Sequence, residues 1–412
     1  MTNSAALDYD IVISGGGMIG TSLALALAPL ELKLLVVEAV PPGAVEQPSF
    51  DERSTALSRS SQRMFEAMGL WPEIVAASTP IRHVHVSDRG RFGFAHIDAF
   101  EQKVEALGYV VINRVLGAVF QNALAESPNV DFLCPASIAR LRSSDASVSV
   151  DIETEGDARQ VKARLVVAAD GANSAVRDMF GIGATTVEYG QWAVIGNLLP
   201  EKPPANVAYE RFTEEGPIAM LPIADDRAAF VWMQAPEKAR ERLALDDEAF
   251  TAELQDAFGF RLGRFSRIGK RAAYPLALTR TNGLVARRGV VVGNAAHGLH
   301  PVAAQGFNLG LRDVAALCDC IVDAIAEGRG DPGRAAVLET YAQWRQVDQS
   351  KLVHFTDSLV HLFADTRLPV RVMRDIGMLG FDLVPGVRQL FARHTMGLAG
   401  RLPRLSRGVP LA

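Results

Sequence analysis

The sequence has few cysteines and lacks the common zinc-binding motifs. Its three cysteines are Cys134, Cys318 and Cys320. The last two lie two residues apart on a predicted helix, where their side chains point in different directions. This spacing suits neither a disulfide nor a zinc pair, so free thiols in a reducing compartment are expected. Because no HExxH or CxxC pattern occurs either, no metal site is predicted.

An overall excess of positive charge and a long apolar run are both missing. The net charge of −5 and the pI of about 6.0 argue against a globally basic nucleic-acid binder. No apolar run reaches the roughly 18–20 residues of a membrane-spanning helix. Only eight residues precede the first predicted strand, too few for a signal peptide. A cytoplasmic location is therefore expected.

Positive charge is concentrated instead at the C-terminal end. Residues 366–412 contain eight arginines and two aspartates, a local balance of +6, so the remainder of the −5 chain carries −11. Apolar residues recur in this region at helical spacing: Val372, Ile376, Leu379, Leu383, Leu390 and Phe391. Such a basic amphipathic surface favours peripheral contact with an anionic membrane, at the inner face of the cytoplasmic membrane. A helical cap with solvated arginines is the alternative.

A glycine-rich turn near the N-terminus carries a dinucleotide-binding pattern. An apolar strand is predicted at 9–14, and Gly15, Gly17 and Gly20 follow it before a helix. In this pattern the three glycines allow a tight turn, a close approach of backbone to pyrophosphate, and close helix packing. Glu38 ends the next strand, where a carboxylate can accept hydrogen bonds from ribose hydroxyls. The unit alone does not distinguish FAD from NAD.

Two later segments carry a family resemblance. A buried strand at 165–169 is followed by Asp170-Gly171, and another at 289–292 is followed by GNAAHGLHPVAAQGFNLGLRD at 293–313. They resemble the DG motif and the second FAD motif of the aromatic-ring flavin monooxygenases. The second string is similar to the signature of the ubiquinone-biosynthesis hydroxylases, and further similar stretches extend to about residue 400. The resemblance implies that the bound dinucleotide is FAD.

The second motif predicts the residues beside the flavin. Asn294 stands where most of the wider class has Asp, so it can hydrogen-bond the ribityl chain without adding a charge. Pro301 has no N–H and a rigid ring, which suits a wall beside the isoalloxazine. Gly306, Phe307 and Asn308 begin a long helix whose N–H groups can stabilise negative charge on the flavin. Pro301 and Gly306 are the predicted catalytic positions, through backbone, because FAD carries the chemistry.

Other polar residues have two interpretations each. Arg53 and Arg114 match cofactor-facing positions of the family, although a solvated surface arginine is the alternative for both. Asp170 matches a residue near the FAD pyrophosphate, and an N-cap role for Asp170 or Ser174 competes with it. His297 and His300 are expected to be hydrogen-bonded spacers rather than acid–base residues.

The resemblance implies an α/β fold with a discontinuous, glutathione-reductase-like Rossmann FAD-binding domain at 1–75, 100–180 and 275–355. An inserted substrate domain with a mixed or antiparallel sheet is expected at 76–99 and 181–274, and a helical region at 356–412. Met220, Pro222 and Trp232 either line the apolar substrate pocket of that sheet or form its ordinary core.

The implied reaction is hydroxylation of a polyprenyl methoxyphenol para to its hydroxyl in ubiquinone biosynthesis. NAD(P)H, docking transiently, reduces FAD, and O2 then gives a flavin C4a-hydroperoxide. The partners implied are the polyprenylphenol, O2 and other ubiquinone-biosynthesis proteins. The alternatives are hydroxylation of another ring position or aromatic compound, and a non-catalytic FAD-binding subunit of a quinone-biosynthesis complex.

Overall fold

Three β-sheets organise the chain. The computed structural model describes residues 7–41, 53–90, 94–298, 305–328, 330–364 and 385–412. The strands are β1 (Tyr9–Ser14), β2 (Leu34–Val37), β3 (Ser54–Ser58), β4 (Ser78–Ile81), β5 (His83–Asp88), β6 (Phe94–Asp98), β7 (Gly108–Ile112), β8 (Val130–Leu133), β9 (Ala136–Ser143), β10 (Val148–Thr154), β11 (Asp157–Ala168), β12 (Ala184–Pro200), β13 (Val207–Phe212), β14 (Ile218–Pro222), β15 (Ala228–Gln234), β16 (Phe265–Ser266), β17 (Ala272–Thr281), β18 (Val285–Ala286), β19 (Gly289–Val291) and β20 (His297–Gly298). The helices are α1 (Met18–Leu27), α2 (Arg59–Ala67), α3 (Trp71–Ala76), α4 (Asn113–Ala125), α5 (Ala175–Met179), α6 (Pro236–Leu243), α7 (Asp247–Phe258), α8 (Gln305–Ala326), α9 (Ala335–Ala364) and α10 (Pro385–Thr395).

The first sheet has a parallel centre in the order β19-β11-β1-β2-β8. The C-terminal halves of β1 and β11 and the whole of β2 are largely apolar and buried, and Ile11, Val12 and Ile13 are fully buried. Ser14, at the end of β1, is in register with Ala168 of β11, and Ala168 with Val291 of β19. The three motif segments that follow these strands therefore meet at one edge of the sheet.

The second sheet is antiparallel except where β13 and β5 run parallel, in the order β20-β17-β12-β15-β14-β13-β5-β6. Met220 and Trp232 are fully buried and pack with Phe250 and Leu254 of α7. Of the two interpretations of these residues, sheet core is therefore correct. Strand alternation places Pro222 on the same side as Met220. We call this covered side the outer face of the sheet, and the opposite side its inner face.

The inner face meets the rest of the protein through the third sheet, which has the order β3-β7-β4. Ala208 and Ala229 of the inner face cluster with Val110 of β7 and with Ala56 of β3. Further along, Ile97 of β6 belongs to a cluster that includes residues of α10. The third sheet thus forms a junction between the inner face and the first sheet.

The predicted α/β class, a Rossmann-type sheet joined to an antiparallel sheet, is confirmed. The domain limits remain a prediction, since β17 and β20 also join the second sheet. Cys318 and Cys320 are buried free thiols. Over the described ranges, no helix combines the length and the apolar character needed to cross a membrane.

Candidate active site

The turn between β1 and α1 requires glycine at two positions. Gly15 has a φ of +100°, and a Cβ there would lie 2.5 Å from the carbonyl oxygen of Ala169. A Cβ on Gly20 would lie 1.9 Å from the carbonyl oxygen of Gly15. Gly17 is the N-cap of α1 and supplies no side-chain cap. The first N–H groups of α1 are therefore available to a phosphate at the positive end of the helix dipole.

Glu38 stands beside this turn and is mostly buried, with 9% of its surface exposed. Its Oε2 accepts a hydrogen bond from the backbone N–H of Gly16 at 2.5 Å, and its Oε1 accepts one from Val40 at 2.8 Å. These two bonds fix the carboxylate at the carboxyl end of β2. A carboxylate oxygen has a second lone pair, so Glu38 can still accept a ribose hydroxyl.

Asp170 and Ser174 occupy the edge beyond β11. The Ser174 hydroxyl caps α5 by accepting from the N–H of Arg177 at 2.9 Å. Asp170 accepts from the Ser174 hydroxyl and, at 3.2 Å, from the N–H of Val176. The N-cap interpretation therefore holds for Ser174, with Asp170 supporting it. A direct contact of Asp170 with the cofactor remains a prediction.

The segment after β19 closely approaches α1 and α8. Gly293 has a φ of +59°, and a Cβ on Gly310 would lie 2.6 Å from Ile19 and 3.2 Å from the Cα of Gly293. The two glycines thus let α8 lie against the end of the strand. Asn294 is exposed at this edge, where its amide is accessible to a bound molecule.

The fully buried Asp313 of α8 anchors the segment that follows β19. Its Oδ2 accepts from the N–H of Gly293 at 3.0 Å and lies 2.6 Å from His297 Nε2. Its Oδ1 accepts from Arg345 Nε of α9 at 2.7 Å, and Arg345 also pairs with Asp348. Burial alone would raise the pKa of Asp313, but His297 and Arg345 outweigh burial and hold that pKa well below its ordinary value. His297 is therefore a structural partner of Asp313, in agreement with the spacer interpretation.

Asn308 ties the start of α8 to β3 and α2. Its Oδ1 accepts from the N–H of Ser58 at 2.9 Å and from the hydroxyl of Ser61 at 2.7 Å, while its Nδ2 donates to the carbonyl of Ala56 at 2.9 Å. The side chain therefore positions the helix. Among the described residues, no atom lies within 4 Å of the position that a Cβ on Gly306 would take.

The remaining predicted residues are spread more widely. The guanidinium of Arg53 lies over the ring of Tyr274, 5.0 Å from its centroid, which brings Arg53 to the inner face of the second sheet. Arg114 is exposed in the first turn of α4, and Phe307 is half-buried beside the main core. Pro301 and His300 lie outside the described residues. The cofactor contacts proposed for Arg53, Arg114 and Phe307 remain predictions.

Sequence reasoning missed Asp313 and Arg345. Asp313 ends the GLRD string within a largely apolar helical stretch, and an acid in such a stretch is a signal that could have pointed to it. Nothing local marks Arg345, because its partner lies 32 residues earlier in the chain.

Comparison with known proteins gives the same picture. Residues 8–356 match a family model described as an FAD binding domain. The ubiquinone hydroxylase UbiL of Rhodospirillum rubrum is 38% identical over 100% of this chain and 95% of its own. The 3-demethoxyubiquinol 3-hydroxylase of Escherichia coli is 32% identical over 97% of this chain and 100% of its own.

A solved structure with the same fold is p-nitrophenol 4-monooxygenase PnpA from Pseudomonas putida DLL-E4. It has a TM-score of 0.79 and 16% identity, and the alignment covers 96% of this chain and 100% of that one. At this identity the likeness shows the fold alone. The glycine turn, the uncapped α1 and the anchored Glu38 fit the dinucleotide portion of FAD.

Gly20→Ala is expected to abolish FAD retention, because the new Cβ would overlap the Gly15 carbonyl oxygen and push α1 away from the turn. The measurement is flavin absorbance per polypeptide after purification. Gly283→Ala is the matched control, since a Cβ there meets nothing within 4 Å. Full flavin content in Gly20→Ala would contradict the assignment of this turn.

Asp313→Asn is expected to lower the free energy of unfolding by about 3–5 kcal/mol at neutral pH, since it removes a partner of the buried Arg345. The pKa of Asp313 is depressed in the folded protein, so its stabilisation is present above the ordinary value of 3.8 and lost as pH falls below it. Urea unfolding at neutral and acidic pH measures both effects.

The control for this substitution is Asp323→Asn, which removes an exposed carboxylate of the same helix that pairs with Arg404. It should change stability by about 1 kcal/mol or less. Equal effects of the two substitutions at neutral pH would refute the role given to Asp313.

Proposed function

Because the chain belongs to the FAD-binding family of ubiquinone-biosynthesis hydroxylases, we propose that it hydroxylates a polyprenyl methoxyphenol at the carbon para to the hydroxyl. As a member of this family it is an FAD-dependent monooxygenase that uses NAD(P)H and O2. The observation that carries the proposal is the 38% identity to ubiquinone hydroxylase UbiL across the whole chain. The ring position rests on stretches such as ERFTEEGPIAMLP at 210–222, which resemble 2-octaprenyl-6-methoxyphenol hydroxylase.

We assign the FAD contacts to two groups of residues. Gly15, Gly17, Gly20 and Glu38 would hold the pyrophosphate and adenosine ribose, with Arg53, Arg114 and Asp170 as further contacts. Asn294, Gly306, Phe307 and Asn308 would hold the ribityl chain and the isoalloxazine, with Pro301 beside them. When bound, FAD accepts reducing equivalents from NAD(P)H and activates O2 for transfer to an electron-rich ring.

The protein contributes an apolar surface that can hold the substrate ring. On the inner face of the second sheet, Val84, Val86, Ile195, Ala219 and Val231 are all half-buried. The outer face is instead sealed by α7. A half-open apolar face suits an aromatic ring with a polyprenyl tail, and the bound substrate would displace water from it.

Hydroxylation of a different ring carbon is the second candidate. It is favoured by the 32% identity to an enzyme named for 3-hydroxylation of 3-demethoxyubiquinol. Both candidates use the same cofactor and the same class of substrate. They differ in the substituents of the ring and in which ring carbon is presented to the flavin.

Deletion of the gene is expected to stop ubiquinone synthesis and to accumulate 2-polyprenyl-6-methoxyphenol, because the next ring position could no longer be oxidised. Mass spectrometry of lipid extracts identifies the accumulating precursor. Re-expression of the wild type should remove that precursor, whereas Gly20→Ala should not. A precursor that already carries the para oxygen would assign the enzyme to another ring carbon.

We also propose peripheral contact with an anionic membrane, through the C-terminal region. Arg388 pairs with Glu101 at 3.3 Å, and α10 packs on β6. Close to this ion pair, Leu390 is 61% exposed and Phe100 is 90% exposed. Arg393 is exposed three residues after Leu390, hence on the same side of α10. Exposed apolar side chains beside arginines support binding to an anionic lipid surface.

The double variant Phe100→Glu/Leu390→Glu is expected to bind phosphatidylglycerol vesicles at least about tenfold more weakly. It removes apolar surface that would enter the lipid and adds two carboxylates that the anionic lipid repels. Co-sedimentation with phosphatidylglycerol and phosphatidylcholine vesicles measures the affinity. Phe260→Glu, at another exposed phenylalanine, is the control. Point variants are preferable to truncation because Ala392, Met396 and Leu405 belong to the buried core. Unchanged sedimentation of the double variant would exclude this surface.

A further inference from the structure

The inner face of the second sheet contains one carboxylate in an apolar row. Glu210 of β13 is in register with Val86 of β5 and with Ala219 of β14. Ala219 is in register with Val231, and Val231 with Ile195. Paired residues project to the same side of a sheet. Glu210 therefore projects into the half-open apolar surface to which the substrate ring was assigned.

This row lies between two contacts with the cofactor-side part of the protein. On one side is the row of Ala193. Ala193 is in register with Tyr274, and the guanidinium of Arg53 lies over the Tyr274 ring. On the other side is the row of Ala208, which clusters with Ala56, and the carbonyl of Ala56 accepts from Asn308. Rows on one face are about 7 Å apart. Glu210 is therefore one row from Ala208 and its contact with Ala56, whereas Tyr274 and Arg53 lie four strands away across the same face.

The carboxyl group of Glu210 lacks a hydrogen-bonding partner among the described residues. Its Oε1 is shut off from solvent and accepts no hydrogen bond from them. Burial raises the pKa of Glu210 to about 7. A buried polar atom without a partner is unfavourable to folding and calls for a functional explanation.

Nearby charges do not supply that partner. Arg211 projects to the outer face, in register with Ser87. Asp88, two residues beyond Val86, interacts electrostatically with Arg211. The described strand β14 carries no charged residue. On β6, His96 pairs with His85 and Asp98 pairs with His83, and all four lie on the outer face. The charge state of Glu210 is therefore set by burial in this apolar row.

We propose that Glu210 receives the hydrogen bond of the substrate's phenolic hydroxyl and acts as the general base that deprotonates it. This inference rests on the proposed function, since it takes the substrate to be a phenol. The O–H bond of the phenol breaks, an O–H bond forms on the Glu210 carboxylate, and no electron is gained or lost. The electron pair left on oxygen delocalises to the ortho and para carbons, which become better nucleophiles toward an electrophilic oxygen. A base with a pKa near the working pH is well matched to this task.

The first experiment compares product formation by FAD-loaded wild type and Glu210→Gln with 6-methoxy-2-prenylphenol, NAD(P)H and O2. Glu210→Gln should form product about 100-fold more slowly while retaining FAD, as flavin absorbance per polypeptide shows. In the wild type, kcat/KM should rise with pH through about 7, because the protonated carboxyl cannot accept a proton. The variant should lose that rise. The proposal would be overturned if Glu210→Gln formed product at the wild-type rate and with the wild-type pH profile.

The second experiment does not depend on turnover. Flavin absorbance changes report binding of the same phenol and of its methyl ether to the oxidised holoenzyme. The wild type should bind the phenol at least about tenfold more tightly, and Glu210→Leu should bind the two equally. Equal binding by the wild type would refute the contact, whatever the activity. If the wild type bound the phenol more tightly than its methyl ether but formed no hydroxylated product, the proposed function would be wrong. The contact between Glu210 and the phenolic hydroxyl would still be supported.

Stability provides a further readout and the control. The folded pKa of Glu210 lies above its ordinary 4.5, so its proton is held in the folded state and stability falls as pH rises from 4.5 to about 7. Glu210→Gln should therefore raise the Tm relative to wild type more at pH 8 than at pH 5. Glu153→Gln, at an exposed strand glutamate, should change neither Tm nor turnover.

Discussion

The buried carboxylate of Asp313 is the constraint on which the second cofactor-side segment depends. It binds four groups that are distant along the chain: the N–H of Gly293, the ring of His297, the guanidinium of Arg345 and the side-chain amide of Gln349. Through Arg345 it fixes α9 against α8. Through Gly293 it fixes the end of β19, where the chain must turn with positive φ and touch Gly310. A buried network in which one carboxylate binds several distant groups restricts the geometry of its surroundings.

That geometry determines what the first and second motifs can do together. The ends of β1, β11 and β19 are adjacent because parallel strands share an edge. Helix α8 begins at the same edge, where Gly310 lies against Ile19 of α1 and Asn308 bonds Ser58 and Ala56 across 250 and 252 residues. The N-termini of α1 and α8, which are far apart along the chain, thereby lie at the same edge of the first sheet.

How far this site could be predicted depends on the range of the interactions. Gly15, Gly20 and Glu38 follow from local geometry, so their spacing alone predicted the turn. The ties from Asn308 and Arg345 join distant segments, and no periodicity reveals them. Alternation along β14 and β15 predicted two faces but could not tell which one α7 would cover. Hence Trp232 could equally have faced the pocket, and Glu210 gave no signal of its own.

Asp313 and Glu210, two carboxylates in contrasting surroundings, illustrate how one fold separates structural from chemical roles. Asp313 is surrounded by cationic partners, and its pKa is depressed, so it remains charged and stabilises the fold. Glu210 is surrounded by aliphatic side chains, and its pKa is raised, so its charge opposes folding near neutral pH. A group whose charge lowers stability is expected where activity requires it. FAD supplies the oxidation chemistry, so removal of the phenolic proton is the step that requires a side chain. On the inner face, we assign this step to Glu210.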